Sequence, residues 1–484
     1  MAMARPSHTT TSLSLVVVAL VFHWCQFLFE TVLEFRQRTA IRKPSPPAAL
    51  RSIFDETWYK ASQSYALDRW TYRLIHSVYS TFETHLVISY ELMPRVWNAC
   101  ATWAAASTYA VTPTAKEVLA SIAFVFLLTL VSVVKDAPWG AYATFVIEAK
   151  HGFNKQTVRL WLMDKVKGLG VACVLVPPII AAVVASIRVF ASSAYAVTLL
   201  WAVIMAFQLL MVFLYPNFIA PLFNKYDPIP EDSPLRADIV RLAEKVSYPL
   251  QKLYVVDGSK RSAHANAYLY GFGKNKRIVL YDTLIKGFAE LNEEDEAAKD
   301  QDESRNNEHV CSVLAHELGH WNHSHVIKLM VMSSALLFAQ LQGYGLIRDS
   351  SVLFEAFGYH DHAALPPKPV LIGLLLYQLF SVPVDAFLGF LSNLVSRAFE
   401  YQADQFARTL GYAKELAQSL LVLQQSEKGS LWMDSWYGAY HSSHPEIAQR
   451  IDALGVVADS DKDFVQKLKR REVARRSGED KKSA

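Results

Sequence analysis

The chain has 484 residues, of which 52% are hydrophobic and only 19% charged, with a mean hydropathy of +0.15. That balance is too apolar for an ordinary soluble domain and excludes disorder over most of the length. The 48 basic and 45 acidic residues nearly cancel, to a net charge of +3, so no strong field gathers nucleic acid and a nucleic-acid partner is not expected.

In chain order, the first feature is an apolar run over 14–29. No small-x-small cleavage site follows it and the charged FETVLEFRQR overlaps its end, which predicts an uncleaved first membrane helix rather than a signal peptide. Windows at 13–29, 118–134, 166–189, 195–215, 326–347 and 369–391 are about the 20 apolar residues a bilayer crossing requires. A seventh window, 86–106, is weaker because Glu91, Pro94 and Arg95 interrupt it. Glu91, Arg95 and, in the last window, Asp385 are costly in lipid, so they are expected to face a protein-lined or wet interior. Cys25, Cys100, Cys173 and Cys311 form no CxxC pair and read as free thiols.

Lys and Arg concentrate after the first span (Arg36, Arg38, Arg42, Lys43, Arg51) and after the third (Lys135, Lys150, Lys155, Arg159), with few after the second, fourth and sixth. Seven crossings then put the N-terminus in the lumen and the C-terminus in the cytosol. The same alternation places two polar regions, 216–325 and 396–484, on one side, where they can form one domain. Within the first, LQKLYVVDG and KRIVLYD read as short strands, and the acidic run over 289–308 as a mobile loop. The expected division is 1–215 for spans one to five with their loops, 216–325 and 396–458 for the two halves of a catalytic domain, 326–395 for spans six and seven, and 459–484 for a charged tail.

The chemistry concentrates in CSVLAHELGHWNHSH. His316 and His320 are four apart on a predicted helix and so share one face, which suits two imidazole ligands of one Zn²⁺. Glu317 follows the first, placed to act as general base on a water whose pKa the metal brings down to about 7. Three protein ligands are needed, and downstream SRAFEYQADQFA offers Glu400 and Asp404, again four apart. Glu400 is the candidate third ligand; Asp404 is the candidate hydrogen-bond partner that fixes the tautomer of a ligating His. His323 is expected to be solvated or structural, and His325 either structural or lining the cavity at the membrane entrance. In SSHPEIAQRI, His444 and Arg450 are candidates for stabilising an oxyanion.

The blocks FETVLEFRQ, EAKHGFNKQT, APLFNKYDPIP, GSKRSAHANAYLYGFGKNKRIVLYDTL, HELGHW, FEYQAD and HPEIAQRI, spread over about residues 26 to 455, resemble the zinc metalloprotease type of CAAX prenyl protease. The resemblance implies a mainly α polytopic membrane protein: seven helices around a water-filled chamber, capped by a gluzincin-like metalloprotease domain with a small β-sheet. It implies removal of the C-terminal tripeptide from prenylated CAAX proteins, with a second upstream cut in some members. Carried over residue by residue, it makes His316, His320 and Glu400 the ligands of one zinc and Glu317 the general base. It puts His444 and Arg450 near the substrate carbonyl and backbone, and Asn266, Ala267 and Tyr268 on an edge strand that pairs with extended substrate. Membrane lipid is the other expected partner. It also implies an endoplasmic reticulum location, with the inner nuclear membrane as a further site, and Lys481 and Lys482 stand where a dilysine retrieval signal would. A membrane protease of misfolded or stalled chains, and a silent member of the fold, are the competing readings; the intact HELGH and FEYQAD pair argues against the second.

Overall fold

The computed structural model describes residues 8–190, 195–271, 276–290 and 299–483. Its helices are α1 (His8–Ile41), α2 (Glu56–Ser89), α3 (Leu92–Ala106), α4 (Pro113–Tyr142), α5 (Val158–Val189), α6 (Ala196–Leu214), α7 (Ala220–Phe223), α8 (Pro234–Lys245), α9 (Asp282–Ala289), α10 (Lys299–Asn322), α11 (His325–Ile347), α12 (Ser351–Ala356), α13 (Val370–Thr409), α14 (Ala413–Glu427), α15 (Ser435–His441), α16 (Ile447–Ala453) and α17 (Lys462–Ser483). Six of them, with short π-helical continuations after α4 and α6, are long and apolar enough to cross a membrane: α1, α4, α5, α6, α11 and α13.

The weak window at 86–106 is not one helix. Glu91 adopts a left-handed backbone (φ 51°) between α2 and α3, a conformation that ends a helix of L-residues. Glu91 and Arg95 therefore sit at a break in the chain, not inside a span. The run of helix before them is α2, whose 34 residues reach about 51 Å. It lies antiparallel to α1: the Trp70 indole donates to the Glu34 carbonyl (2.8 Å), Arg73 forks onto Glu34 (3.1 and 3.2 Å), and Trp24 meets Phe82 edge-on. Hydropathy does not mark α2 as a span, but several of its charges pair with other elements. Asp68 takes Lys150 and His151 (2.7 Å each), and Glu83 takes Lys135 on α4 (2.7 Å). Asp385 is likewise paired, accepting from Ser381 (2.6 Å) and from Gln340.

At the far end of the bundle Glu117, fully buried, holds Arg188 through both oxygens (2.6 and 2.9 Å) and accepts from the Val370 N–H (2.8 Å). One carboxylate thus ties α4, α5 and the start of α13 together. Trp97, Phe124, Phe354 and Leu376 pack into one apolar cluster there.

The polar regions meet at the other end. Strands β1 (Tyr226–Pro228), β2 (Leu250–Val256), β3 (Ala267–Tyr270) and β4 (Lys276–Tyr281) form a sheet in the order β1-β2-β4-β3. The β2–β4 pair is parallel and the other two antiparallel, so β3 is an edge. Leu253 and Ile278 from the sheet, Leu314 and Leu318 from α10, and Leu416 and Leu421 from α14 share one core. Leu50, Ile53 and Phe54, from the α1–α2 connection, and Trp58, in the first turn of α2, belong to it too. One expectation is corrected. Residues 299–308 belong to α10 and Ala289 to α9 rather than to a loop, while 291–298 lie outside the described residues. Helix α13 runs for 40 residues, with Pro383 inside it, about 60 Å, from the membrane bundle into the catalytic core.

With α2 as a crossing, a single cysteine replacing Lys60 and one replacing Lys414, in a chain freed of its own cysteines, will react with an impermeant thiol reagent from the same side of sealed vesicles. One replacing Tyr109 will react only from the other. Labelling of the Lys60 and Tyr109 positions from the same side would mean that α2 does not cross.

Candidate metal centre

Two helices build the site. On α10, Leu314 and Leu318 face the catalytic core while His316 and His320, about 200° round from Leu314 and Leu318 respectively, face α13. The helices cross so closely that a Cβ on Gly319 would lie 2.9 Å from the Ala403 Cα and 3.1 Å from its carbonyl oxygen. Only glycine fits there, and the contact sets the Glu400 turn of α13 against the two imidazoles.

The ligand atoms of His316, His320 and Glu400 all lie within 4.8 Å of one another. His320 Nε2 is 3.2 Å from His316 Nε2 and 3.2 Å from Glu400 Oε1, and His316 Nε2 is 3.5 Å from Glu400 Oε2. Asp404, 1% exposed, accepts from His316 Nδ1 (2.9 Å). That bond assigns the His316 proton to Nδ1 and leaves the Nε2 lone pair free for a metal. Glu400 Oε2 is buried without a hydrogen bond; His444 Nδ1 approaches it to 2.8 Å, but not in hydrogen-bonding geometry. Two imidazole lone pairs and a carboxylate with an orphaned buried oxygen suit a borderline-soft dication such as Zn²⁺. Burial pushes the Glu317 carboxyl up from its ordinary range, and His316 and His320 only partly offset it; a bound dication would act in the opposite sense.

His325 has a place that the sequence left open. It is 1% exposed, stacks face to face on Phe399 (4.1 Å between ring centroids), and places Nδ1 3.0 Å from His320 Nδ1 and Nε2 2.9 Å from Gln402 Oε1. It does for His320 what Asp404 does for His316. Phe399 and Gln402 flank Glu400 within FEYQAD, so the motif contained the signal, but one helix face had to be matched to a histidine on another helix. His323 stacks on His325 (5.4 Å) and meets Phe406 edge-on, away from the ligand atoms.

Arg450, on α16, is committed to Asp404: Nε donates to Oδ2 (2.8 Å) and Nη2 to Oδ1 (2.7 Å), leaving Nη1 3.5 Å from Glu400 Oε2. His444 sits at the exposed rim on a turn whose carbonyl accepts from Ser442 (2.7 Å) and Arg397 (3.5 Å). Asn266 accepts from the Ala267 N–H through Oδ1 (2.8 Å) and, through its carbonyl, from Tyr281 N (3.0 Å). Ala267 and Tyr268 open the edge strand β3, with the Tyr268 hydroxyl 3.2 Å from that of Tyr226.

This is the site of a membrane metallopeptidase. Residues 37–225 match the family described as CAAX prenyl protease N-terminal, five membrane helices, and residues 231–457 match peptidase family M48. The chain is 42% identical to the CAAX prenyl protease 1 homolog of Oryza sativa subsp. japonica over 90% of its own length and 96% of that protein's. With the Homo sapiens homolog the figures are 35%, 90% and 94%; with CAAX prenyl protease 1 of Saccharomyces cerevisiae, 31%, 91% and 95%. The crystal structure of S. mikatae Ste24p superposes with a TM-score of 0.80 at 31% identity, covering 91% of this chain and 99% of that one. The chain belongs to the CAAX prenyl protease family of M48 peptidases.

His325→Ala removes the contact that orients His320, and the expected outcome is a loss of about 10 to 100-fold in metal affinity or activity, read by chelator competition; unchanged affinity would reduce His325 to a packing residue. Gly319→Ala forces α10 and α13 apart, an overpacking worth about 1–3 kcal/mol. Thermal unfolding of this variant should shift downward together with its metal content, and an unaltered Tm and metal content would contradict the close crossing.

Proposed function

We propose that the chain is a zinc endopeptidase of the endoplasmic reticulum membrane that removes the C-terminal tripeptide from prenylated CAAX proteins, with its catalytic core and C-terminus in the cytosol. The observation that carries the metal chemistry is the convergence of His316, His320 and Glu400, with Asp404 and His325 holding the outer nitrogens of the two imidazoles. When bound there, Zn²⁺ supplies Lewis acidity and brings the pKa of a water down to about 7.

The residues divide the rest of the work. Glu317, half-buried beside the ligands, takes the proton of the attacking water and passes it to the leaving amine. His444, at the rim and 2.8 Å from Glu400, is in reach of a substrate carbonyl. Arg450 is a positioning residue that clamps Asp404 and, through it, His316. The edge strand β3, with Asn266 before it and Ala267 and Tyr268 opening it, would pair with an extended peptide of varied sequence once the Asn266 side chain gives up the Ala267 N–H.

An apolar cavity of about 500 Å³ supports the prenylated substrate. It lies between α1, α13 and α15, lined by Phe29, Leu33, Phe387, Phe390, Trp436 and Tyr440. Phe390 is ten residues from Glu400 on α13, about 15 Å along the axis, and α15 runs directly into the turn bearing His444. An isoprenoid chain on the scissile cysteine can lie in this cavity while the peptide meets β3. The cytosolic placement of the catalytic core rests on the Lys and Arg distribution between spans.

Purified protein incubated with a farnesylated and with an unfarnesylated CAAX peptide should cleave the first much faster, and a zinc chelator should stop the reaction. Equal cleavage of both would point to an unselective membrane protease. Glu317→Gln should retain one zinc per chain and lose about 10²–10⁴-fold in rate; full activity with the metal retained would remove Glu317 from its role. Glu400→Ala should lose metal and activity together.

A further inference from the structure

The C-terminal helix α17 buries Phe464, Val465 and Leu468 in the catalytic core, and its next turn buries a charge. Arg471 is 5% exposed. Its Nη1 donates to Gln425 Oε1 (3.3 Å) and its Nη2 to Ser426 Oγ (3.1 Å) and Glu290 Oε2 (3.2 Å). Its Nε is buried with no acceptor among the described residues, and so is Nη1 of Arg475, one turn further on. Both guanidinium groups line a cavity of about 150 Å³ that Lys155 and Lys286 also line.

Among the described residues, four cations thus face one lining carboxylate, Glu290, which is half-exposed. Behind the wall, Asp282 takes part of the Lys286 charge (3.2 Å). Buried guanidinium donors are normally satisfied, and like charges one helical turn apart repel. Burial, reinforced by the neighbouring Arg475 and only partly offset by Glu290 and Glu472, pulls the Arg471 pKa down. An anion with several oxygen acceptors would relieve both faults at once, because guanidinium and ammonium groups bind phosphate oxygens through short charge-assisted hydrogen bonds. None of His316, Glu317, His320, Glu400 or His444 lines this cavity.

We propose that this cavity is a binding site for a phosphate-bearing anion, held by Arg471, Arg475, Lys155 and Lys286 and separate from the metal centre. Lys155 lies in the connection between α4 and α5, at the end of the bundle that carries the catalytic core. A free phosphate and the headgroup of a phosphorylated lipid therefore share the chemistry of the site.

The test uses the full-length protein. Thermal unfolding is followed in detergent with inorganic phosphate against chloride at matched ionic strength, and separately in phosphate-free nanodiscs of phosphatidylcholine with and without a phosphatidylinositol phosphate. Arg475→Gln and Lys155→Gln are the test variants, chosen because neither side chain anchors the core as Arg471 does; Lys60→Gln, on the surface of α2, is the control. The wild type and the control should show a Tm that rises with the concentration of at least one probe. Each test variant should weaken the apparent affinity about tenfold, the worth of one charge-assisted hydrogen bond. A response to inorganic phosphate would assign a soluble oxyanion, and a response only to the phosphorylated lipid would assign a headgroup. No rise with either probe in the wild type, or a rise undiminished in both test variants, would overturn the site.

Discussion

The close crossing of α10 and α13 is the constraint on which the rest of the structure depends. Gly319 lies against the Ala403 backbone where no Cβ fits, and that approach brings two imidazoles within 3.2–3.5 Å of a carboxylate. A single turn of α13 then serves three neighbours. Glu400 faces the histidines, Ala403 meets Gly319, and Asp404 holds His316. A wider crossing would leave the ligand atoms too far apart for one ion, and Asp404 too far from the nitrogen it orients.

The price of assembling such a site is buried charge, and it is met by pairing. Arg450 saturates Asp404 with a two-pronged contact, so the carboxylate that orients His316 is itself fixed. Removing one member of such a pair leaves the other charge uncompensated, which costs far more than the pair contributes when intact. The same logic governs the membrane bundle, where Glu117 with Arg188 and Glu83 with Lys135 join helices from within.

Helix α13 links these two parts. Its first half packs among membrane helices and its second half carries Glu400 and Asp404, so one helix joins the metal site to the bundle. An apolar chain in the cavity beside Phe387 and Phe390 would lie on the same helix that carries Glu400. The basic cavity around Arg471 lies in the same catalytic core, but on α17 and α9, apart from that helix.

The sequence by itself determined the local chemistry. Spacings of four put His316 with His320 and Glu400 with Asp404 on single helix faces, and six apolar windows marked helices that the structure contains, because periodicity and hydropathy depend only on near neighbours. It misplaced what depends on distant partners. Helix α2 carries Asp68, Arg73 and Glu83, whose partners on other elements no local pattern reveals. The acidic residues before HELGH read as loop, yet those from 299 onward extend α10. His325 with Phe399 and Gln402, Arg450 with Asp404, and the need for glycine at 319 were decided only by the tertiary structure. Each is a contact between residues tens of positions apart, whose geometry no local pattern encodes.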